Sequence, residues 1–344
     1  MKIRIVLSHP ASQLYGEVRE AVIAQALVQQ GHDVQVYRVH AAPQEKRDRF
    51  GNCVTVRYFP ADASNVGAHQ TVSGKLVEAL LEDRPDAILF KGLGYDIVEH
   101  ALDRLGSYQP RIGFILGGSA VDPSLARADF VMAESEGQIA QIRAAVSSPL
   151  PCTILPKYID WTTADRLYAE RQRPDWPTHD IVNVGSFEPR KNQMALRSFF
   201  GRYRVALIGS GETHAVVAEA AAGHPDVRLF GALPNAAALG VVAQSRLMVH
   251  VSLWEGVPRA AFESLACGTP VVAHRFAIQD TFEGTRAVRL VSAEELAPTV
   301  EALLADPPLL SAMSEEGRAY ALQRHGPERL AEAVKQILVM AGDG

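Results

Sequence analysis

Cysteine is scarce in this sequence, and no apolar stretch is long. Cys53, Cys152 and Cys267 form no C-x-x-C pair and leave an odd count, which argues against a disulfide framework or a zinc cage and fits a reducing compartment. Nowhere do roughly 18 apolar residues follow one another, as a spanning helix requires. The opening run from Met1 to Leu7 is too short for a signal-peptide core. The expectation is a cytoplasmic protein with at most peripheral membrane contact. Positive charge is also in deficit: 34 Lys and Arg against 39 Asp and Glu give a formal net charge of −5. Without an overall positive field, no nucleic-acid partner is expected. No G-x-G-x-x-G follows the first strand of either half, which disfavours dinucleotide chemistry.

What is present is a 344-residue chain with 47% apolar and 21% charged residues, enough for two domains that each bury a core. Short apolar runs alternate with amphipathic segments. Ile3 to Leu7, Val34 to Val39, Ala87 to Phe90, Arg111 to Leu116, Phe130 to Ala133 and Thr153 to Leu155 read as strands. Helical patterns separate them at Glu17 to Gln30, Val72 to Leu81, Ile97 to Leu105 and Glu136 to Val146. Strands separated by helices of this length imply parallel pairing. Pro156 to Thr178 breaks the rhythm and reads as a connection. The pattern then restarts, with strands at Ile181 to Val184, Arg204 to Ile208, Val227 to Phe230, Leu247 to Val251, Val271 to Ala273 and Val288 to Val291. Three helical segments close the chain: Glu294 to Ala305, Leu309 to Arg324 and Pro327 to Met340. The fold class is α/β, with two doubly wound, Rossmann-like domains at 1–155 and 179–325, a linker at 156–178 and a terminal helix at 326–344. Ligands of such sheets bind outside the carboxyl ends of the strands, so two domains facing one another would enclose a cleft.

The densest signal is SLWEGVPRAAFESLACGTPVVA, Ser252 to Ala273. Pro258 suits a first helical turn, and Gly268 with Pro270 closes a helix of about nine residues. Free amides near Gly256 and Val257 then favour an anion at the helix N-terminus. Glu255 beside such an anion serves better as an acceptor of sugar hydroxyls, and Glu263 has the geometry for two ribose hydroxyls. Alternatively, Glu255 is a solvated helix cap that needs no ligand. The second signal is VNVGSFEPRKNQ, Val182 to Gln193. Here a glycine ends a strand, and Arg190 and Lys191 stand where a helix is expected to open, so cations opposing its dipole ask for an anion such as a diphosphate between them.

These segments resemble the Glu-x7-Glu signature and the Gly-Arg-(three or four residues)-Lys pattern of retaining family 4 glycosyltransferases, the group 1 enzymes of the GT-B fold. The resemblance implies that Glu255, Gly256 and Val257 hold the donor sugar, that Glu263 holds the ribose, and that Lys191 and Arg190 neutralise the leaving diphosphate, with Glu255 and Lys191 as the catalytic pair. Gly185, Gly209 and Gly231 would line the nucleotide at strand ends. Two departures stand out: Ser186 occupies the place of the family's arginine, and no histidine follows the fourth or fifth strand of the first domain. On the acceptor side the candidates are Gly16, Lys91, Gly117, Gly118 and Ser119. His9 reads as a loop histidine, His250 as packed, and Lys46 to Arg49 with Arg57 as a solvated basic loop.

The implied activity is retaining transfer of a hexosyl group from a nucleotide-diphosphate sugar to a hydroxyl of a carbohydrate or lipid-linked acceptor, in polysaccharide, glycolipid or glycoconjugate synthesis. No cofactor is expected, and no metal, since no Asp-x-Asp pair occurs. The alternatives are a non-catalytic sugar-nucleotide-binding subunit, or another GT-B enzyme such as an epimerase or phosphorylase. Whether the C-terminal helices return to the first domain is left open by the sequence.

Overall fold

The structure, a computed structural model, describes residues 1–10, 19–40, 46–50, 53–118, 121–171, 176–275, 281–282 and 284–342. Chain contacts divide it into two units, residues 1–158 with 328–344, and residues 159–327.

In the first unit the elements run β1 (Lys2–Leu7), α1 (Arg19–Gln29), β2 (Asp33–His40), β3 (Lys46–Phe50), β4 (Val54–Pro60), α2 (Gly74–Asp83), β5 (Ala87–Lys91), α3 (Asp96–Arg104), β6 (Arg111–Ile115), β7 (Phe130–Ala133), α4 (Glu136–Ala145) and β8 (Cys152–Ile154). They build an eight-stranded sheet of order β3-β4-β2-β1-β5-β6-β7-β8, parallel except for β3. Period-two side-chain direction lets one strand feed two cores. Ile88 and Phe90 pack on the α2 and α3 side, while Ala87 and Leu89 pack on the α1 side. Side-chain oxygens start the helices, with Ser73 accepting from the Leu76 amide and Ser135 from the Gln138 amide.

The second unit continues with α5 (Trp161–Glu170), β9 (His179–Val184), β10 (Val205–Ile208), α6 (His214–Ala221), β11 (Val227–Gly231), α7 (Asn235–Ala243), β12 (Ser245–His250), α8 (Arg259–Ala266), β13 (Val271–His274), β14 (Val288–Val291), α9 (Ala293–Leu304) and α10 (Pro307–His325). Its six strands are all parallel, in the order β11-β10-β9-β12-β13-β14. This is the doubly wound arrangement, and its order reverses between β9 and β12. The final helix, α11 (Pro327–Ala341), buries Ala333, Val334, Ile337 and Leu338 in the first unit's core with Ile3, Ile5 and Leu89. That places the C-terminal helix with the first sheet.

Several expectations change. The basic stretch expected to be a solvated loop is an edge hairpin: β3 and β4 pair antiparallel, and the Arg57 guanidinium lies over the Tyr37 and Phe59 rings. Lys46 to Phe50 carries no apolar alternation, so only pairing with β4 makes it a strand. The segment read as a connection contains α5, whose Trp161 is buried with its indole N–H donating to the His325 carbonyl at 2.9 Å. The helix expected to open at Arg190 and Lys191 is instead two 3-10 segments, Pro189–Lys191 and Gln193–Phe199, so no α-helical dipole acts on those cations.

Candidate functional site

The second unit's site sits where its strand order reverses, at the carboxyl ends of β9 and β12. Beyond β9, the Gly185 amide donates to the Ile208 carbonyl at 3.0 Å, and the Gly209 amide donates to the Gly231 carbonyl at 2.8 Å. The backbones approach so closely that a Cβ on Gly209, at φ +144°, would lie 1.8 Å from the Gly185 carbonyl oxygen, and one on Gly211, at φ +151°, 2.4 Å from that of Phe187. Only glycine fits either position. The following turn carries Arg190 and Lys191, and the Leu253 amide donates to the Arg190 carbonyl at 2.8 Å, tying this turn to the loop after β12.

That loop holds Glu255. Its carboxylate accepts from Lys191 Nζ, lies 3.7 Å from an Arg190 guanidinium nitrogen, and lies 3.3 Å from His250 Nε2. Burial would raise its pKa, but the close approach of His250 and the hydrogen bond and charge of Lys191 outweigh it and hold the group at about 2. Glu255 is therefore ionised. Past it, α8 begins at Arg259 and is eight residues long, one fewer than expected, and no side chain caps it. Glu263, on the same helix, is buried. Its Oε1 accepts from Asn235 Nδ2 and from Arg259 Nε, each at 2.9 Å, and burial above all raises its pKa.

Ser186, standing where arginine was expected, hydrogen-bonds Glu188, which also accepts from Arg190 Nε at 3.0 Å. Glu188 therefore shares Arg190 with Glu255. Gly231 ends β11 with φ +68°. Gly256 is half-buried beside the buried Val257, while Trp254 next to them is 55% exposed.

In the first unit the candidates on the carboxyl side of the sheet gather around Lys91, at the end of β5. Its Nζ donates to the Leu116 carbonyl at 3.0 Å and pairs with Glu20 Oε1 at 3.2 Å. Arg19 binds both Glu20 and Glu134, at 3.3 and 3.1 Å, and Lys157 pairs with Glu134. Burial lowers the Lys157 pKa to about 8, against the pull of Glu134. Burial also opposes ionisation of Glu20, yet the Lys91 and Arg19 charges hold it at about 2. A Cβ on Gly117 would come within 2.4 Å of Lys91 Nζ, so the missing side chain makes room for that ammonium. Gly118 accepts from Gln138 Nε2 through its carbonyl at 3.0 Å. Gly16 and Ser119 lie outside the described residues. His9 is exposed and its carbonyl accepts from Arg38.

The sequence reading missed Arg19, Glu20, Glu134, Lys157, Asn235, Arg259 and the contact of His250 with Glu255. Arg259 was within reach, four residues before Glu263 on one helix face. Glu134 directly follows a strand, where ligand groups concentrate. Among the described residues, no group of three or more His, Cys, Asp or Glu side chains is placed to hold a metal.

The family comparison matches the second unit. Residues 178–306 fit the family described as glycosyl transferases group 1. By this match the segment is similar to a group 1 glycosyl transferase domain. Around it the whole chain has the two-domain GT-B fold, as solved structures show. It superposes on sucrose-phosphate synthase (tll1590) from Thermosynechococcus elongatus with a TM-score of 0.74 at 18% identity, over 98% of each chain. Against Anabaena Alr3699/HepE, solved in complex with UDP and glucose, the TM-score is 0.72 at 16% identity, over 98% of this chain and 99% of that one. Against WaaG, a glycosyltransferase involved in lipopolysaccharide biosynthesis, it is 0.70 at 16% identity, over 99% and 100%. No curated protein matches the chain by sequence. The matched family segment contains both motifs, Gly185 to Lys191 and Glu255 to Glu263. No described helix of the chain is long and apolar enough to cross a membrane.

Proposed function

We propose that this chain transfers a hexosyl group from a nucleoside-diphosphate sugar to a hydroxyl of a carbohydrate or lipid-linked acceptor, with the anomeric configuration retained. The observation that carries this reading is the meeting of Lys191 and Arg190 at Glu255, at the carboxyl ends of β9 and β12. At a topological switch point such a pair of cations suits a diphosphate.

In the reaction, the bond from the anomeric carbon to the diphosphate oxygen breaks with oxocarbenium character. A bond from the acceptor oxygen forms on the same face, and the acceptor's proton leaves with the diphosphate. Lys191 and Arg190 turn from Glu255 to meet the charge that grows on the leaving group. Glu255 accepts hydroxyl hydrogens of the sugar. Glu263 takes the ribose, which requires Asn235 and Arg259 to share its Oε1 or give it up. Lys91, Gly117 and Gly118 face the acceptor at the switch point of the first sheet, between β1 and β5. No side chain is assigned as the base.

A thermal-shift screen against the diphosphates of uridine, guanosine, thymidine and adenosine tests the reading, because a ligand that binds only the folded form raises its stability. One of them should raise the melting temperature, and its sugar conjugate should release the free diphosphate when an acceptor is supplied. Failure of all four to shift the transition would remove the proposal. Binding with no release across a broad acceptor panel would favour a silent sugar-nucleotide-binding subunit, the reading that the diversion of Arg190 by Glu188 supports.

A further inference from the structure

His250 is the last residue of β12, with 2% of its surface exposed. Burial of an imidazole without hydrogen bonds is costly, yet neither ring nitrogen has an aligned partner in the free chain. Its Nε2 nevertheless lies 3.3 Å from Glu255 Oε1, the same oxygen that Lys191 holds. The neighbouring strand supplies a second buried imidazole, His274, whose Nε2 is likewise unpartnered. Burial first, and then the proximity of His250, lower the His274 pKa. Among the described residues, the charged or titratable groups set around His250 are thus Glu255 on its own loop, Lys191 across the shared oxygen, and His274 from β13.

A bound diphosphate competes with Glu255 for its cations. Lys191 and Arg190 are the groups within reach of both, and a diphosphate carries more charge than one carboxylate. When they turn toward the phosphates, the largely covered Glu255 carboxylate loses its hydrogen-bond donor and most of its counter-charge. We propose that His250 is the positioning residue for Glu255: in the donor complex its Nε2–H takes over the carboxylate and keeps it ionised and aimed at the sugar. His250 then acts through Glu255 and touches neither substrate nor leaving group. The inference rests on the donor site proposed above and adds a division of labour, in which Lys191 and Arg190 serve the phosphates and His250 serves the sugar-binding carboxylate.

The test compares the nucleoside diphosphate that shifts the wild type with its sugar conjugate, using His250→Phe and His250→Gln. Phenylalanine fills the space without a donor, and glutamine returns an N–H near the position of Nε2. His250→Phe should leave affinity for the free diphosphate unchanged while weakening the nucleotide sugar about 10- to 100-fold, the range expected for a lost hydrogen bond to a charged group. His250→Gln should recover most of that loss. Equal weakening of both ligands, or none for the conjugate, overturns the inference while leaving the donor site standing. Absence of any nucleotide binding in the wild type removes the donor site itself. A separate measurement needs no ligand: the ring nitrogen shifts of His250 should move in Glu255→Gln, and unchanged shifts would refute the pairing even if the Phe variant failed to fold.

Discussion

In the free chain Lys191 and Glu255 satisfy one another, so a ligand must offer each a better partner. Truncating Lys191 tests the phosphate side. Lys191→Ala leaves Glu255 with His250 and Arg190, and the fold should survive because the Lys191 side chain is not part of either core. Turnover should drop about 100-fold or more, the scale seen when one preorganised stabiliser of a leaving charge is removed. Steady-state release of the free diphosphate measures it, and a variant within threefold of wild type would show that Arg190 alone suffices. Glu255 also fixes an acid response. Its carboxyl is held at about 2 against an ordinary 4.5, so the folded state binds its proton less readily than the unfolded chain does. The stabilisation is complete above the ordinary value and is lost as the pH falls toward 2. Melting temperatures between pH 5 and 2 should therefore fall less steeply in Glu255→Gln than in the wild type. Both partners of this pair were legible, because each lies in a contiguous motif. His250 was not: four residues of sequence separate it from Glu255, and only the turn after β12 brings them face to face.

Loops at strand ends place those side chains, and their tolerance is small. Gly209 follows β10 at φ +144°, with the space for a Cβ filled by the Gly185 carbonyl. Gly209→Ala must therefore shift the two loops apart or strain the backbone, at about 1 to 3 kcal/mol for the conformation alone. A lower melting temperature together with weaker diphosphate binding is expected, since Gly185 neighbours Lys191. Retention of both would mean that the loops separate freely. Most strands were visible in the sequence because parallel strands covered on both faces read as continuous apolar runs. β4 escaped notice although Val54, Val56 and Tyr58 alternate inward, because its arginine drew the reading toward a loop. The 3-10 segments after Pro189 were misjudged for another reason: composition does not distinguish a tight turn from the first turn of an α-helix, and Asn192 at φ +52° interrupts the run.

The chain leaves its first unit near Tyr158 and comes back through α11, so sequence neighbours and structural neighbours part company at the C-terminus. An amphipathic pattern over Pro327 to Met340 announces a helix with one apolar face; it does not say which sheet that face covers, since both sheets offer branched aliphatic surfaces. The packing answers this through Ile337, fully buried in one cluster with Ile3, Ile5 and Ile23. Deleting its branched chain should cost about 2 to 5 kcal/mol, the range for large-to-small changes at buried sites that collapse incompletely. If α11 belongs to the first core, Ile337→Ala should speed amide exchange first in β1 and β5, whose residues share that cluster, and leave β9 and β12 protected. Faster exchange confined to β9 and β12 would contradict this assignment of the last helix. The effect should also be independent of nucleotide, because the donor-site residues lie within 159–327 and Ile337 lies outside that range.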